Sequence, residues 1–295
     1  MISFACPHCK TKLEETALDE LHCLQDGLIF RRENGIWEFL LPERESHYSR
    51  FIRDYETVRR FEGRGSPDSE YYRALPFKDL SGNFTTDWKI RAASYRLLEK
   101  MIPPDSNVVD IGAGNCWLSN RIAAHGHQTY AVDLLLNEED GLGTWKYYEN
   151  KFTPVQAEFA HLPFLNGFAS LIIFNASFHY SENYEETLLE ALRILQPDGK
   201  IIVMDSPVYH DAESGKQMLV ERKADFLSRY GFASDSIKSE GYLTYQKMKG
   251  LADKLGITWN HIRPFYGIRW ALRPWLARLR GGREPAEFGM WVGSL

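Results

Sequence analysis

The residues best suited to chemistry cluster in Asn107-Val-Val-Asp-Ile-Gly-Ala-Gly-Asn-Cys-Trp117. A β-branched run ends in a carboxylate, two glycines follow, and a helical pattern opens after them. Gly112 and Gly114 let the backbone approach a ligand with no Cβ in the way. The helix start adds unpaired N–H groups and the positive end of a dipole. A second apolar run, Gln128-Thr-Tyr-Ala-Val-Asp133, ends in an acid 23 residues after Asp110. At that point of a βαβ unit an acid matches the two vicinal hydroxyls of a ribose. Asp110 could accept hydrogen bonds from a cationic amino group or order the turn. His179, in Asn175-Ala-Ser-Phe-His179-Tyr180, is the candidate general base, and Asp205 and Tyr209 face the same strand edge.

The type of nucleotide follows from what is missing. A dinucleotide turn needs a third glycine for close helix–strand packing, but Trp117 stands there. No phosphate loop of the Walker type is present either. Four ordered segments point elsewhere: Asp110-Ile-Gly112-Ala-Gly114; Val155-Gln-Ala-Glu158 before Leu162-Pro-Phe164; Phe168-Ala-Ser-Leu-Ile-Ile-Phe-Asn175; and Arg193-Ile-Leu-Gln-Pro-Asp-Gly199-Lys-Ile-Ile-Val203. Together they resemble the class I S-adenosylmethionine-dependent methyltransferases, of the type 11-like group. That group often has a third glycine where Cys116 stands here. The resemblance implies a Rossmann-like seven-stranded α/β sheet, mostly parallel with the last strand antiparallel. It also implies S-adenosylmethionine as methyl donor, held by Asp110, Gly112, Ala113, Gly114, Asn115, Asp133, Leu134, Glu158, Phe159 and Asn175. Glu158 would stand beside the adenine amino group and Asn175 would face the methyl donor.

Soft ligands gather near the N-terminus. Three of the four cysteines lie within the first 23 residues, a pattern of metal sites and not of disulfide frameworks. Cys6-Pro-His-Cys9 is one knuckle, and Cys23-Leu-Gln-Asp26 puts an acid where a fourth cysteine would complete a second. His8 or His22 could also supply a nitrogen. With Asn34-Gly-Ile36 leading into Phe39-Leu-Leu41, the segment resembles the zinc-ribbon-like modules found beside certain methyltransferases. A structural zinc on Cys6, Cys9, Cys23 and Asp26 is what that resemblance implies.

These groups need elements to position them. Residues 1–42 read as a small β module of their own, 43–86 as a linker or lid, and 87–295 as the main α/β domain. Phe51, Tyr55, Val58 and Phe61 recur at helical spacing, and five aromatics between Phe61 and Phe84 favour a lid over the site. Asp87 is placed to cap the next helix. Tyr184, Thr187, Leu188, Ala191, Leu192 and Leu195 form an apolar helical stripe. Continuous apolar runs at 107–111, 169–174 and 200–204 fit parallel strands covered on both faces. A last strand over Glu287–Val292 pairs with one at 256–260. Between them lie Arg269, Arg273, Arg278, Arg280 and Arg283, with Leu272, Trp275, Leu276 and Leu279 as a short stripe.

The net charge of −5 gives no global attraction to nucleic acid. No membrane span and no basic-then-apolar leader are visible, so a soluble, cytoplasmic protein is expected. The reading is a methyltransferase with a small-molecule acceptor. The alternatives are an RNA base methyltransferase, with the arginines on phosphates, or a non-catalytic donor-binding partner protein.

Overall fold

The computed structural model describes residues 4–233 and 235–295; residues 1–3, part of the N-terminal stretch read above, lie outside the described residues. Four short strands come first: β1 (Glu14–Ala17), β2 (Glu20–His22), β3 (Ile29–Glu33) and β4 (Ile36–Glu38). Helices α1 (Pro42–Phe61), α2 (Ser69–Ala74) and α3 (Thr85–Leu98) follow. The central series is β5 (Asn107–Ile111), α4 (Trp117–Ala123), β6 (Gln128–Asp133), β7 (Thr153–Gln156), β8 (Ala169–Asn175), α5 (Tyr184–Ile194) and β9 (Leu195–Met204). Beyond it lie β10 (Val208–Tyr209), α6 (Ala212–Tyr230), β11 (Leu243–Thr244), α7 (Tyr245–Leu255) and β12 (Thr258–Ile262). Then α8 (Ile268–Ala271), α9 (Arg273–Leu279) and β13 (Met290–Ser294) complete the chain.

The seven strands expected of the main sheet run in the order β7-β6-β5-β8-β9-β13-β12. The first five are mutually parallel, and β13 is antiparallel to both β9 and β12. Parallel order puts the C-terminal ends of β5, β6, β7, β8 and β9 along one edge, where a ligand of an open α/β sheet sits. Side-chain alternation divides the core. Val109 and Ile111 join Leu188 and Ile194 of α5 on one face, while Val108 joins Trp88, Tyr95 and Trp117 of α3 and α4 on the other.

The N-terminal module does not stand apart. Strand β4 pairs in parallel with β7, Trp37 opposite Val155, so β1–β4 extend the sheet to eleven strands. This pairing covers what would otherwise be an open sheet edge. Phe4, Cys6, Phe30 and Phe39 share one core cluster with Val155, Phe164 and Leu188. A core that is too small alone is thus completed by the larger domain.

Several boundaries move. Helix α3 starts at Thr85 after Phe84, which puts Asp87 inside the first turn. The capping work falls to Asp79, which accepts from the Phe84 amide at 2.7 Å and the Thr85 hydroxyl at 3.2 Å. The last strand runs over Met290–Ser294, with Glu287 making only an isolated bridge to Val208. The 272–279 stripe is not core: Trp275 is 59 % and Leu279 66 % exposed. Among the described residues no helix is long and apolar enough to cross a membrane.

Because module and main sheet share one core, Phe39→Ala should destabilise the whole chain. Phe39 is 1 % exposed and its ring meets those of Phe4, Phe30 and Trp37. The expected loss is about 3 kcal/mol in a single denaturant transition. A separate early transition for the module, with the main one unmoved, would contradict the shared core.

Candidate functional site

The glycine turn sits where β5 ends. Gly112 and Gly114 both have positive φ, +75° and +52°. A Cβ on Gly112 would collide with the Ser177 side chain, whose hydroxyl donates to the Ile111 carbonyl at 2.5 Å. Glycine is therefore required by the close approach of the segments after β5 and β8. Cys116 also adopts a left-handed conformation, φ +59°, just before α4. This explains physically why a glycine suits that position. Its thiol is fully buried, so Cys116 trades backbone strain for packing.

Gly112, Gly114, Asp133, Leu134, Glu158 and Phe159 line a cavity of about 160 Å³ above the strand edge. Asp133 accepts from the Gly114 amide at 2.8 Å and the Leu135 amide at 3.0 Å, one on each carboxylate oxygen. Burial pushes its pKa up, and those amides pull it back. A carboxylate has about four lone-pair sites, so two remain for hydroxyls in the cavity. Asp110 behaves differently. It is 1 % exposed, lines none of these cavities and accepts from the Ser119 hydroxyl at 2.7 Å. It ties the end of β5 to α4, and its Oδ1 is buried with no partner among the described residues.

Helix α1 forms the opposite wall through Arg44, Tyr48, Phe51 and Tyr55. Arg44 makes a bidentate pair with Glu158, Nε to Oε1 at 2.8 Å and Nη2 to Oε2 at 2.7 Å. The Tyr48 hydroxyl donates to Glu158 at 2.7 Å, and His161 lies 3.0 Å away. Burial alone would raise the Glu158 pKa, but His161, Arg44 and Tyr48 hold it down at about 2. The carboxylate expected to meet an adenine amino group is thus engaged by α1. Fifteen residues on, Arg59 pairs with buried Asp140. The covering element is α1 and not the aromatics after it. Tyr71 and Tyr72 are buried in the core, and Tyr72 stacks on Tyr147 at 4.8 Å.

A second cavity, about 190 Å³, opens on the other side of the turn and is lined by Ala113, Asn115, Asn175, His179, Trp88 and Arg91, among others. The Nε1 of Trp88 and the Oδ1 of Asn175 are buried there with no partner among the described residues. Arg91 forms no hydrogen bond or ion pair among them and lies 5.1 Å from the Trp88 ring. His179 is buried, with Nδ1 3.3 Å from the Ser206 hydroxyl. Burial, and then the charges of Arg222 and Arg91, lower its pKa to about 3. It is a neutral imidazole and a weak base. Ala176 and Asp205, each just past a strand end, hold positive φ of 53° and 55°. Strained non-glycine residues of this kind gather at functional edges. Asp205 is tied to Ser94 at 2.6 Å and Tyr266 at 3.2 Å, and Tyr209 lies outside these cavities.

Arg44, Tyr48, Trp88 and Arg91 did not emerge from the sequence reading. A helical Trp–Arg pair three residues apart just before the glycine strand was the available signal.

In the N-terminal module, ligand atoms of Cys6, Cys9, Cys23 and Asp26 lie within 4.8 Å of one another. His8 is 3.2 Å from Asp26, while His22 turns away to Glu20 at 2.7 Å. Tetrahedral zinc with sulfur at about 2.3 Å separates its ligands by just under 4 Å, so the donor set and spacing fit. In the tail, Arg269, Arg278 and Arg280 are exposed.

Residues 109–203 match the family described as Methyltransferase domain. A sarcosine/dimethylglycine N-methyltransferase of Halorhodospira halochloris is 28 % identical over 173 residues, 54 % of this chain and 62 % of that one. The chain thus spans less than two thirds of this curated relative. Among solved structures, an S-adenosylmethionine-dependent methyltransferase of Mesorhizobium loti superposes with a TM-score of 0.50 at 17 % identity, covering 68 % of this chain and 97 % of that one. A chain from the complex of the Haloferax volcanii Trm112 methyltransferase activator with a methyltransferase gives 0.51 at 15 % identity, over 72 % and 92 %. These structural likenesses speak for the fold.

The buried Asp110 makes stability depend on pH. Burial raises its pKa from 3.8 to about 7, aided by the Asp133 charge and opposed by Ser119. A raised carboxyl contributes stability that is complete below the unfolded pKa and is lost as pH climbs through the folded one. Asp110→Asn, which keeps an acceptor for Ser119, should therefore raise Tm more at pH 8 than at pH 5, by roughly 3 °C or more. An equal shift at both pH values in thermal unfolding would show that Asp110 does not titrate in this window.

Proposed function

We propose that this chain, which carries a methyltransferase domain on a class I fold, transfers a methyl group from S-adenosylmethionine to a small-molecule acceptor. One observation carries the reading. The glycine turn, Asp133 and the unpartnered polar atoms of Trp88 and Asn175 open on adjoining cavities that share Tyr55, Gly112, Gly114 and Tyr180. When bound, the donor supplies an electrophilic methyl carbon on a sulfonium. The spare lone pairs of Asp133 would take the ribose hydroxyls. Trp88 and Arg91 offer an N–H and a guanidinium to the donor's carboxylate, and the Asn175 amide oxygen accepts from its amino group. Arg44 and Tyr48, locked to Glu158, keep α1 over the cavity and water out. Alignment supplies much of the rate of such a displacement. The neutral His179 suits orienting an acceptor whose nucleophile already holds a free lone pair. Support for a small acceptor comes from cavities walled by α1 and from the Halorhodospira relative, a sarcosine/dimethylglycine N-methyltransferase.

Calorimetry with S-adenosylmethionine tests this. Binding is expected, and Asp133→Ala should weaken it at least about tenfold, the cost of losing hydrogen bonds to a charged group. No binding, or binding indifferent to Asp133→Ala, would overturn the reading.

A structural zinc on Cys6, Cys9, Cys23 and Asp26 is also proposed. Metal analysis should return about one zinc per chain, and Cys23→Ser should lose it with a lower Tm. Metal-free protein with the Tm of the purified chain, unmoved by a chelator, would refute the site.

A further inference from the structure

Beside the donor cavities lies a third, about 260 Å³, between α1 and α6. Phe51, Val58, Phe226, Phe232 and Ile237 give it apolar walls, and Tyr55, Arg59, Arg64 and Tyr180 are shared with the cavity that holds His179. Its charges are nearly all matched. Asp54 faces Arg50 at 3.3 Å and Arg53 at 3.6 Å, Glu62 faces Arg64 at 2.7 Å, and Arg59 faces Asp140. Arg222 of α6 is the exception. Its guanidinium has no hydrogen bond or ion pair among the described residues, and its Nε is buried without a partner. The residue is half-buried, but a buried donor with no acceptor is costly, and a ligand anion that accepts from the Nε removes that cost.

We propose that the methyl acceptor is an anion with an apolar body, its carboxylate or phosphate held by Arg222 and its body lying against Phe226, Phe232 and Val58. This deepens the methyltransferase reading and rests on it for the word acceptor. Arg91, beside the glycine turn, is left for the donor; Arg222, which does not line either donor cavity, serves the second substrate.

The test uses benzoate, phenyl phosphate and neutral benzamide as probes, titrated by calorimetry into the full chain, free and loaded with S-adenosylhomocysteine. At least one anion should bind and benzamide should not, with benzoate or phenyl phosphate identifying the preferred anionic group. Arg222→Gln should weaken the anion roughly tenfold or more and leave donor affinity within about twofold, while Arg222→Lys should restore part of the binding. Binding of benzamide equal to benzoate, no anion binding by the wild-type chain, or a donor affinity that falls with the Gln variant would each overturn the proposal. Absence of donor binding by the wild-type chain would instead refute the methyltransferase reading, and the anion titration on the free protein would still decide the role of Arg222.

Discussion

Two ion pairs hold one helix across the open edge of the sheet, and the cavities exist because of them. Arg44 grips Glu158 near the start of α1, and Arg59 grips Asp140 fifteen residues later. At 1.5 Å per residue that span is about 22 Å, enough to bridge the strand edge from one side of the glycine turn to the other. Both carboxylates are buried, which makes each pair strongly coupled to its geometry: removing one partner leaves a charge without water or counter-ion. Phe51 and Tyr55, between the two anchors, are thereby set against Tyr180 at 6.1 Å and 5.9 Å. Tyr55 and Tyr180 stand where the three cavities meet.

The same economy appears at the other end of the sheet. Strand β7 would be an edge of the main sheet, and four short strands would be a marginal domain. Pairing β4 with β7 resolves both deficiencies at once. The cysteine cluster lies on this added module, and Lys10 beside it reaches Glu190 of α5 at 2.7 Å. The module is therefore coupled to the helix that backs the central strands, through charge as well as through the shared aromatic core.

The parts of the site that follow local rules were legible in the sequence. Gly112 and Gly114 announce a turn because positive φ is hard for any other residue, and Asp133 follows from the length of a βαβ unit. The strand runs at 107–111 and 169–174 show themselves by unbroken hydrophobicity. What could not be read was which helical charge meets which cavity. Arg44, Arg91 and Arg222 sit on three helices, each one charge among several on a polar face, and apart from Trp88 three residues before Arg91 nothing local separates them from Arg50 or Arg96. The apolar stripe at 272–279 does form a helix, α9, but its spacing could not tell that Leu272, Trp275, Leu276 and Leu279 stay exposed.

The sequence by itself determined the parallel sheet, the glycine turn, the acid that follows it and the four metal-ligand candidates, because backbone sterics and residue periodicity act over a few positions. Tertiary structure alone decided that Asp110 is buried against α4, that Glu158 faces α1, that the N-terminal strands complete the main sheet and that Arg91 and Arg222 line cavities without a hydrogen-bonding partner among the described residues. Burial, edge pairing and charge balance depend on segments more than a hundred residues apart, such as Arg44 and Glu158, and only the packed chain brings them together.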